Sequence, residues 1–216
     1  MAQAAVALKP VKVDSYEVGL RGKNEAGVGY EASLYRMTKR DDILSYRDPA
    51  TTATTSTNAG KTLHQGIEIG IKTDIVTTLR LDIAYSYAKH TYEQWMLNPL
   101  VVAQDFSGKE MESAPRTIAN VRLIYSPGML NGGNLAVEVV TLGNYWVDAA
   151  NTQKYAGHDL LNLSANYFLN QDWQVFARLN NATNKRYADS SSLSGTNQVF
   201  APGLPRSGMV GIEAKW

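Results

Sequence analysis

The chain contains no cysteine in its 216 residues. A disulfide scaffold and a thiolate metal centre are therefore excluded. It also lacks any apolar run near the ~18 residues that a membrane helix needs, and its mean hydropathy is −0.27. A transmembrane helix is excluded. A membrane strand is not, because alternation keeps average hydropathy low. An excess of one charge is missing too: Lys and Arg number 21 against 20 Asp and Glu, for a net charge of +1. That balance excludes a basic protein held to nucleic acid by bulk charge. No cationic segment precedes Met1–Leu8, and Lys9-Pro10 ends this apolar stretch too early for a signal peptide. Such a start fits a cytoplasmic protein and equally a fragment. Helical periodicity is absent as well.

What is present is a period of two. Tyr16, Val18 and Leu20 alternate with Glu17, Gly19 and Arg21. The same pattern recurs at Val28–Leu34, Ile67–Ile71, Leu79–Tyr87, Ala119–Tyr125, Leu135–Val139, Leu161–Leu169, Trp173–Leu179 and Val210–Trp216. These segments predict an all-β chain, an antiparallel up-and-down meander of about nine strands, each with one apolar and one polar face. Several segments run to about ten residues, the length that crosses a bilayer at a tilt, against a globular mode of about five or six.

The predicted connections alternate in length. Short turns fall at Lys23–Gly27, Asp74–Val76, Ser126–Gly133 and Asn170–Asp172. Long polar stretches fall at Arg40–Lys61, Gln94–Ser113, Asp148–Gly157 and Lys185–Leu204. In a meander, alternate connections share a side, so short turns and long loops collect on opposite rims, as in an outer-membrane barrel. The Thr/Ala/Ser run Thr51–Thr57 reads as a solvated loop tip. The polar faces carry both signs, among them Glu17, Arg21, Glu68, Lys72, Asp82, Arg122 and Glu138. A wide, wet or plugged lumen tolerates such a wall. Tyr85, Tyr87, Tyr125, Tyr167, Trp173 and Trp216 read as interfacial rings near strand ends on the apolar side.

Five motifs in order carry a resemblance. They are Ser15-Tyr16-Glu17-Val18-Gly19-Leu20, then Asn58-Ala59-Gly60-Lys61 followed by Gln65-Gly66-Ile67-Glu68. Next come Ser107-Gly108 with Ala114-Pro115-Arg116, then Asn180-Asn181-Ala182-Thr183-Asn184-Lys185-Arg186-Tyr187. Last are Pro202-Gly203 and Pro205-Arg206. With these the chain resembles the C-terminal portion of the barrel of TonB-dependent outer-membrane receptors. The resemblance implies that residues 11–216 are the C-terminal part of such a barrel and residues 1–10 a lead-in. It implies a transmembrane β-barrel in the outer membrane of a Gram-negative bacterium, in contact with its lipid. In the whole receptor a plug domain and TonB act on a ferric siderophore, haem or cobalamin. Trp216 stands where the family closes on an aromatic, most often Phe, that engages the barrel-assembly machinery. About nine strands without a plug, a TonB-pairing segment or a signal peptide are expected to be a fragment that forms no closed pore by itself.

The long-loop rim supplies the candidate ligand contacts: His90, Tyr92 and Trp95 on one strand top, Tyr145 and Trp146 on another. His64, His90 and His158 all map near that rim. A metal role requires at least two of them to converge, and they read as separate, solvated side chains. No catalytic pair or Gly-rich phosphate loop stands out, so neither catalysis nor a cofactor is expected. Two other readings share the alternation. One is a small complete barrel, a pore or adhesin, with Ile43–Tyr46 supplying a tenth strand. The other is a soluble β-sandwich whose apolar faces pack together.

Overall fold

The structure is a computed structural model that describes residues 8–47, 54–58, 60–96 and 105–215. Nine strands form one antiparallel sheet: β1 (Lys12–Lys23), β2 (Gly29–Arg40), β5 (Lys61–Val76), β6 (Leu79–Gln94), β7 (Thr117–Tyr125), β8 (Asn134–Leu142), β11 (His158–Phe168), β12 (Trp173–Asn180) and β15 (Ser207–Ala214). They pair in that order, with β1 and β15 at the two edges. The nine alternating segments of the sequence are these nine strands. Six shorter strands pair off outside the sheet: β3 (Ile43–Arg47) with β4 (Thr54–Asn58), β9 (Tyr145–Trp146) with β10 (Lys154–Tyr155), and β13 (Ala188–Ser194) with β14 (Asn197–Pro202).

Register explains why one face is apolar through its middle rows, with the polar row Arg36, Gln65 and Lys89 reached only toward the long-loop end. Leu20, Ala32, Ile69, Tyr85 and Ala119 are successive partners across five strands. Ile71, Ile83, Val121, Val139 and Leu161 form the next row. A slip of one residue anywhere would turn a whole strand inside out. The opposite face carries the row Lys72, Asp82, Arg122, Glu138 and Asn162, alternating in sign over its first four members. Glu138 there accepts hydrogen bonds from Asn120 (2.8 Å) and Asn162 (3.1 Å). This polar face is hollowed into a trough of about 650 Å³, lined by Glu17, Arg21, Glu31, Glu68 and Asn120 among others.

Among the described residues no second sheet covers the apolar face. Val18 is 68% exposed, Leu34 56%, Val210 76% and Ile212 59%. A sandwich would have buried them, so that alternative is excluded. The tenth-strand alternative also fails, because Ile43–Arg47 pairs with Thr54–Asn58 and not with the main sheet.

Three further expectations change. The turn expected at Asp74–Val76 lies at Thr77–Thr78, since β5 continues to Val76. β6 runs on to Gln94, which puts Tyr85 and Tyr87 in mid-strand. Tyr125, Tyr167 and Trp173 do lie at the short-turn ends of β7, β11 and β12, 45%, 41% and 44% exposed. Trp216 lies outside the described residues, as do Thr51–Ala53 of the Thr-rich run, whereas Thr54–Asn58 form β4. Three of the long polar loops thus carry hairpins of their own: two use Ser- and Thr-rich strands, β4 and β13, and the third pairs Tyr145-Trp146 with Lys154-Tyr155.

Candidate functional site

Among the described residues the buried aromatic clusters lie at the long-loop rim, at the top of β6 and in the loops themselves. Tyr92, Trp95 and Phe106 are each at most 4% exposed, with Leu44, Met111, Ala149 and Ala150 packed on them. Their rings meet at centroid distances of 4.5 and 4.8 Å. The cluster joins β3 to the loops that follow β6 and β9. A second cluster holds Tyr145, Val147, Tyr155 and Ala188, packed against Leu142 and Leu193. It joins the β9–β10 hairpin to β13.

Polar bonds lock these loops together. The Asn151 side chain accepts from the Glu110 amide (2.8 Å) and donates to the Glu110 carbonyl (2.7 Å), as a β-bridge partner would. The Ser113 amide donates to the Trp146 carbonyl at 2.8 Å. Gln153 Nε2 donates to the Thr196 carbonyl at 2.9 Å, which ties in the third hairpin. Arg116 grips both carboxylate oxygens of Glu110, its Nε at 2.7 Å. The bidentate hydrogen bond from Arg116 holds the Glu110 carboxyl below the usual range, with partial burial opposing it. A depressed carboxylate stabilises the fold above its unfolded pKa, about 4.3. That contribution is lost as pH falls through the lower folded value. With Arg116 39% exposed, it is expected to be under about 1 kcal/mol. The Glu110→Gln variant should therefore show a smaller acid-induced drop in melting temperature than the parent. An equal drop in both would contradict the assignment.

The sequence-predicted contacts are placed as follows. Tyr92 and Trp95 are buried in the first cluster, and Tyr92 donates its hydroxyl hydrogen bond to Glu112. Tyr145 is buried in the second cluster. Trp146 is half-buried beneath Lys154, whose Nζ stands 4.2 Å from the ring centroid. His90 is half-buried on β6, and its carbonyl accepts from the Met111 amide at 2.9 Å. The two groups of rings occupy separate clusters, linked by backbone bonds between their loops.

The histidines differ from their sequence reading. His64 and His90 are register partners on β5 and β6, and their Nδ1 atoms are 2.8 Å apart. Nothing in the one-dimensional sequence marks that pairing except the strand register itself. His158 stands apart, with its Nδ1 2.8 Å from the Tyr155 hydroxyl and its ring 4.4 Å from that of Tyr187.

The motif Asn180–Tyr187 also acquires a structural role. Asn181 is 3% exposed and adopts a φ of 48°. Its side chain receives the Lys185 amide (2.8 Å) and donates to the carbonyls of Lys185 (2.8 Å) and Leu204 (3.2 Å). Tyr187 lies flat over Gly203, where an added Cβ would sit 2.2 Å from the ring. The Gly203 amide donates to the Tyr187 carbonyl at 3.0 Å. Asn-Asn…Tyr and Pro-Gly are thus two halves of one clasp that returns the chain from the last long loop to β15.

Comparison with known proteins agrees with this architecture. The family described as "TonB dependent receptor-like, beta-barrel" matches residues 2–182. The chain is similar to a ferrioxamine receptor of Yersinia enterocolitica, 27% identical over 154 residues, which are 71% of this chain and 20% of that receptor. Its fold is similar to that of the ferric yersiniabactin uptake receptor FyuA from Yersinia pestis, with a TM-score of 0.74 at 18% identity, over 94% of this chain and 29% of the other. It is equally similar to the siderophore receptor PiuA from Acinetobacter baumannii, with a TM-score of 0.75 at 18% identity, over 94% and 28%. The chain spans about a fifth of the curated receptor's length and under a third of either solved structure. A match over most of the chain, joined to a nine-stranded up-and-down sheet with a bare apolar face, places it plainly: it belongs to the TonB-dependent receptor-like β-barrel family.

Proposed function

We propose that residues 11–216 are the C-terminal part of the barrel of an outer-membrane receptor in a Gram-negative bacterium, that residues 1–10 lead into it, and that the receptor imports a ferric siderophore. The observation that carries this reading is the contrast between the two faces of the sheet: bare Val, Leu and Ile outside, paired charges along the hollow side. Water penalises the first face and hydrocarbon the second, and only a wall between lipid and a wet lumen suits both. At 16 residues each, β5 and β6 exceed the length that crosses the lipid, and the surplus stands at the long-loop end. The open edges β1 and β15 find their partners in the remaining strands of the whole barrel.

The ligand surface in this reading is the long-loop rim. His90 and Trp146 face it part-open, while Tyr92, Trp95 and Tyr145 shape it from beneath as the cores that hold the loops. A plug domain in the lumen and TonB complete the transport machine, and the barrel-assembly machinery engages the strand that leads to Trp216. The chain's own role is binding and passage, not catalysis.

The test is a titration of the receptor that carries this barrel segment, reconstituted in vesicles. Tryptophan fluorescence should fall on adding ferrioxamine and stay unchanged with haemin or cobalamin. A response to haemin or cobalamin alone would move the substrate class. Recovery of the protein in the soluble fraction, with no response to any of the three, would sink the proposal.

A further inference from the structure

We propose that His64 and His90 form a two-nitrogen site for a divalent transition-metal ion on the hollow face of the sheet, near the long-loop rim, with Met37 beside it. Three strands bring these residues together. Met37 on β2 pairs with His64 on β5, which pairs with His90 on β6. All three therefore fall on the face that carries Glu68 and Asp82, by the period of two.

The hydrogen-bond chain fixes the tautomers. Thr62 Oγ1 donates to Asp42 Oδ2 at 2.8 Å, so its proton is committed. Toward His64 Nε2, at 3.2 Å, the hydroxyl can then only accept. His64 consequently carries its proton on Nε2 and a bare lone pair on Nδ1. That lone pair faces His90 Nδ1 at 2.8 Å, so His90 donates from Nδ1 in the metal-free protein. A carboxylate acting through a hydroxyl to orient an imidazole is the outer-shell arrangement that metal-binding histidines use.

The separation suits a metal. Two nitrogens at about 2.0 Å from one ion, at a right angle, are about 2.8 Å apart. The rings are tilted by 57° with centroids 5.0 Å apart, so the two Nδ1 atoms meet nearly head-on, and a shared ion requires each ring to turn about its side-chain bonds. Binding transfers the His90 proton from Nδ1 to Nε2. Both imidazoles stay neutral, and no net proton is released at a pH where they begin neutral. Lys39 is the nearby cation, and it lies 4.0 Å from Asp42, which offsets its charge. Among the described residues no group of three or more His, Cys, Asp or Glu converges. Water and the Met37 thioether are left to fill the remaining positions, which favours Cu2+ over harder ions.

The experiment titrates the folded protein in detergent micelles with Cu2+ and reads the bound ion by electron spin-echo envelope modulation. The expected result is one equivalent per chain, bearing two coordinated imidazoles. His64→Gln or His90→Gln should each leave at most one imidazole and weaken binding on the order of 100-fold. Thr62→Val keeps both rings but frees the tautomer, and should weaken binding on the order of 10-fold. It serves where a histidine variant fails to fold. His158→Gln should change nothing. A two-imidazole signal that survives in either histidine variant, or Cu2+ binding that Thr62→Val leaves unchanged, would overturn the site. So would an absence of stoichiometric binding.

Discussion

Replacing Asn181 with alanine is expected to destabilise the protein by about 3 kcal/mol. The side chain makes three hydrogen bonds to the Lys185–Leu204 segment from a nearly buried position. Each is worth about 1 kcal/mol net. Its φ of 48° adds to the loss, because alanine tolerates the left-handed region less well than asparagine. Two further variants separate the contributions. Asn181→Gly relieves the backbone and loses the bonds, so it should recover about 1 kcal/mol of the loss. Asn181→Asp keeps an acceptor for the Lys185 amide and gives up the donor to both carbonyls. Urea midpoints in detergent measure all three. A loss under about 1 kcal/mol in the alanine variant would mean that the clasp to β15 is held elsewhere, by Tyr187 over Gly203.

The second large effect compares neighbours in the chain. Val139 lies in the outer row with Val121 and Leu161, and Val140 lies on the hollow side with Asn120 and Leu160. Val139→Arg is expected to destabilise the protein in lipid vesicles by about 2–4 kcal/mol, the cost of arginine facing hydrocarbon at mid-depth. Val140→Arg places the same charge toward the trough that Val140 lines and should cost under about 1 kcal/mol. Both are single valine-to-arginine changes on β8, so strand propensity cancels between them. Equal penalties would remove the distinction between a lipid face and a wet face on which the proposed function rests.

Much of this was legible before any coordinates. The period of two in Leu79–Tyr87 or Leu161–Leu169 specifies a strand and its apolar face together, because side chains alternate with no other freedom. The alternation of short and long connections specifies which end carries the loops. The motif around Asn181 was legible as a resemblance, but its meaning was not. That Asn181 reaches Leu204, and that Tyr187 covers Gly203, depends on a long loop closing on itself. Of the rim rings, Tyr92 lies near the top of β6, whereas Tyr145 and Trp146 lie in the β9–β10 hairpin outside the main sheet. Their burial was not foreseen, because a solvent-facing Tyr92 and a core Tyr92 read identically in a polar stretch. The hairpins are not legible in the sequence, because Ser- and Thr-rich strands such as Ala188–Ser194 carry no apolar alternation and the two-residue strands β9 and β10 are too short to show a period.

Local sequence sets the number of strands in the sheet, their order along it and the face each turns outward. These follow from local rules, a two-residue period and antiparallel neighbours joined by short turns. Long-range folding alone brings His64 to His90, joins Asn151 to Glu110, and gathers the buried aromatic cores at the long-loop rim, away from the middle of the sheet. Those contacts depend on register between strands and on closure of long loops. Neither is written in any single segment, because each is set by the sum of many weak pairings over the whole sheet.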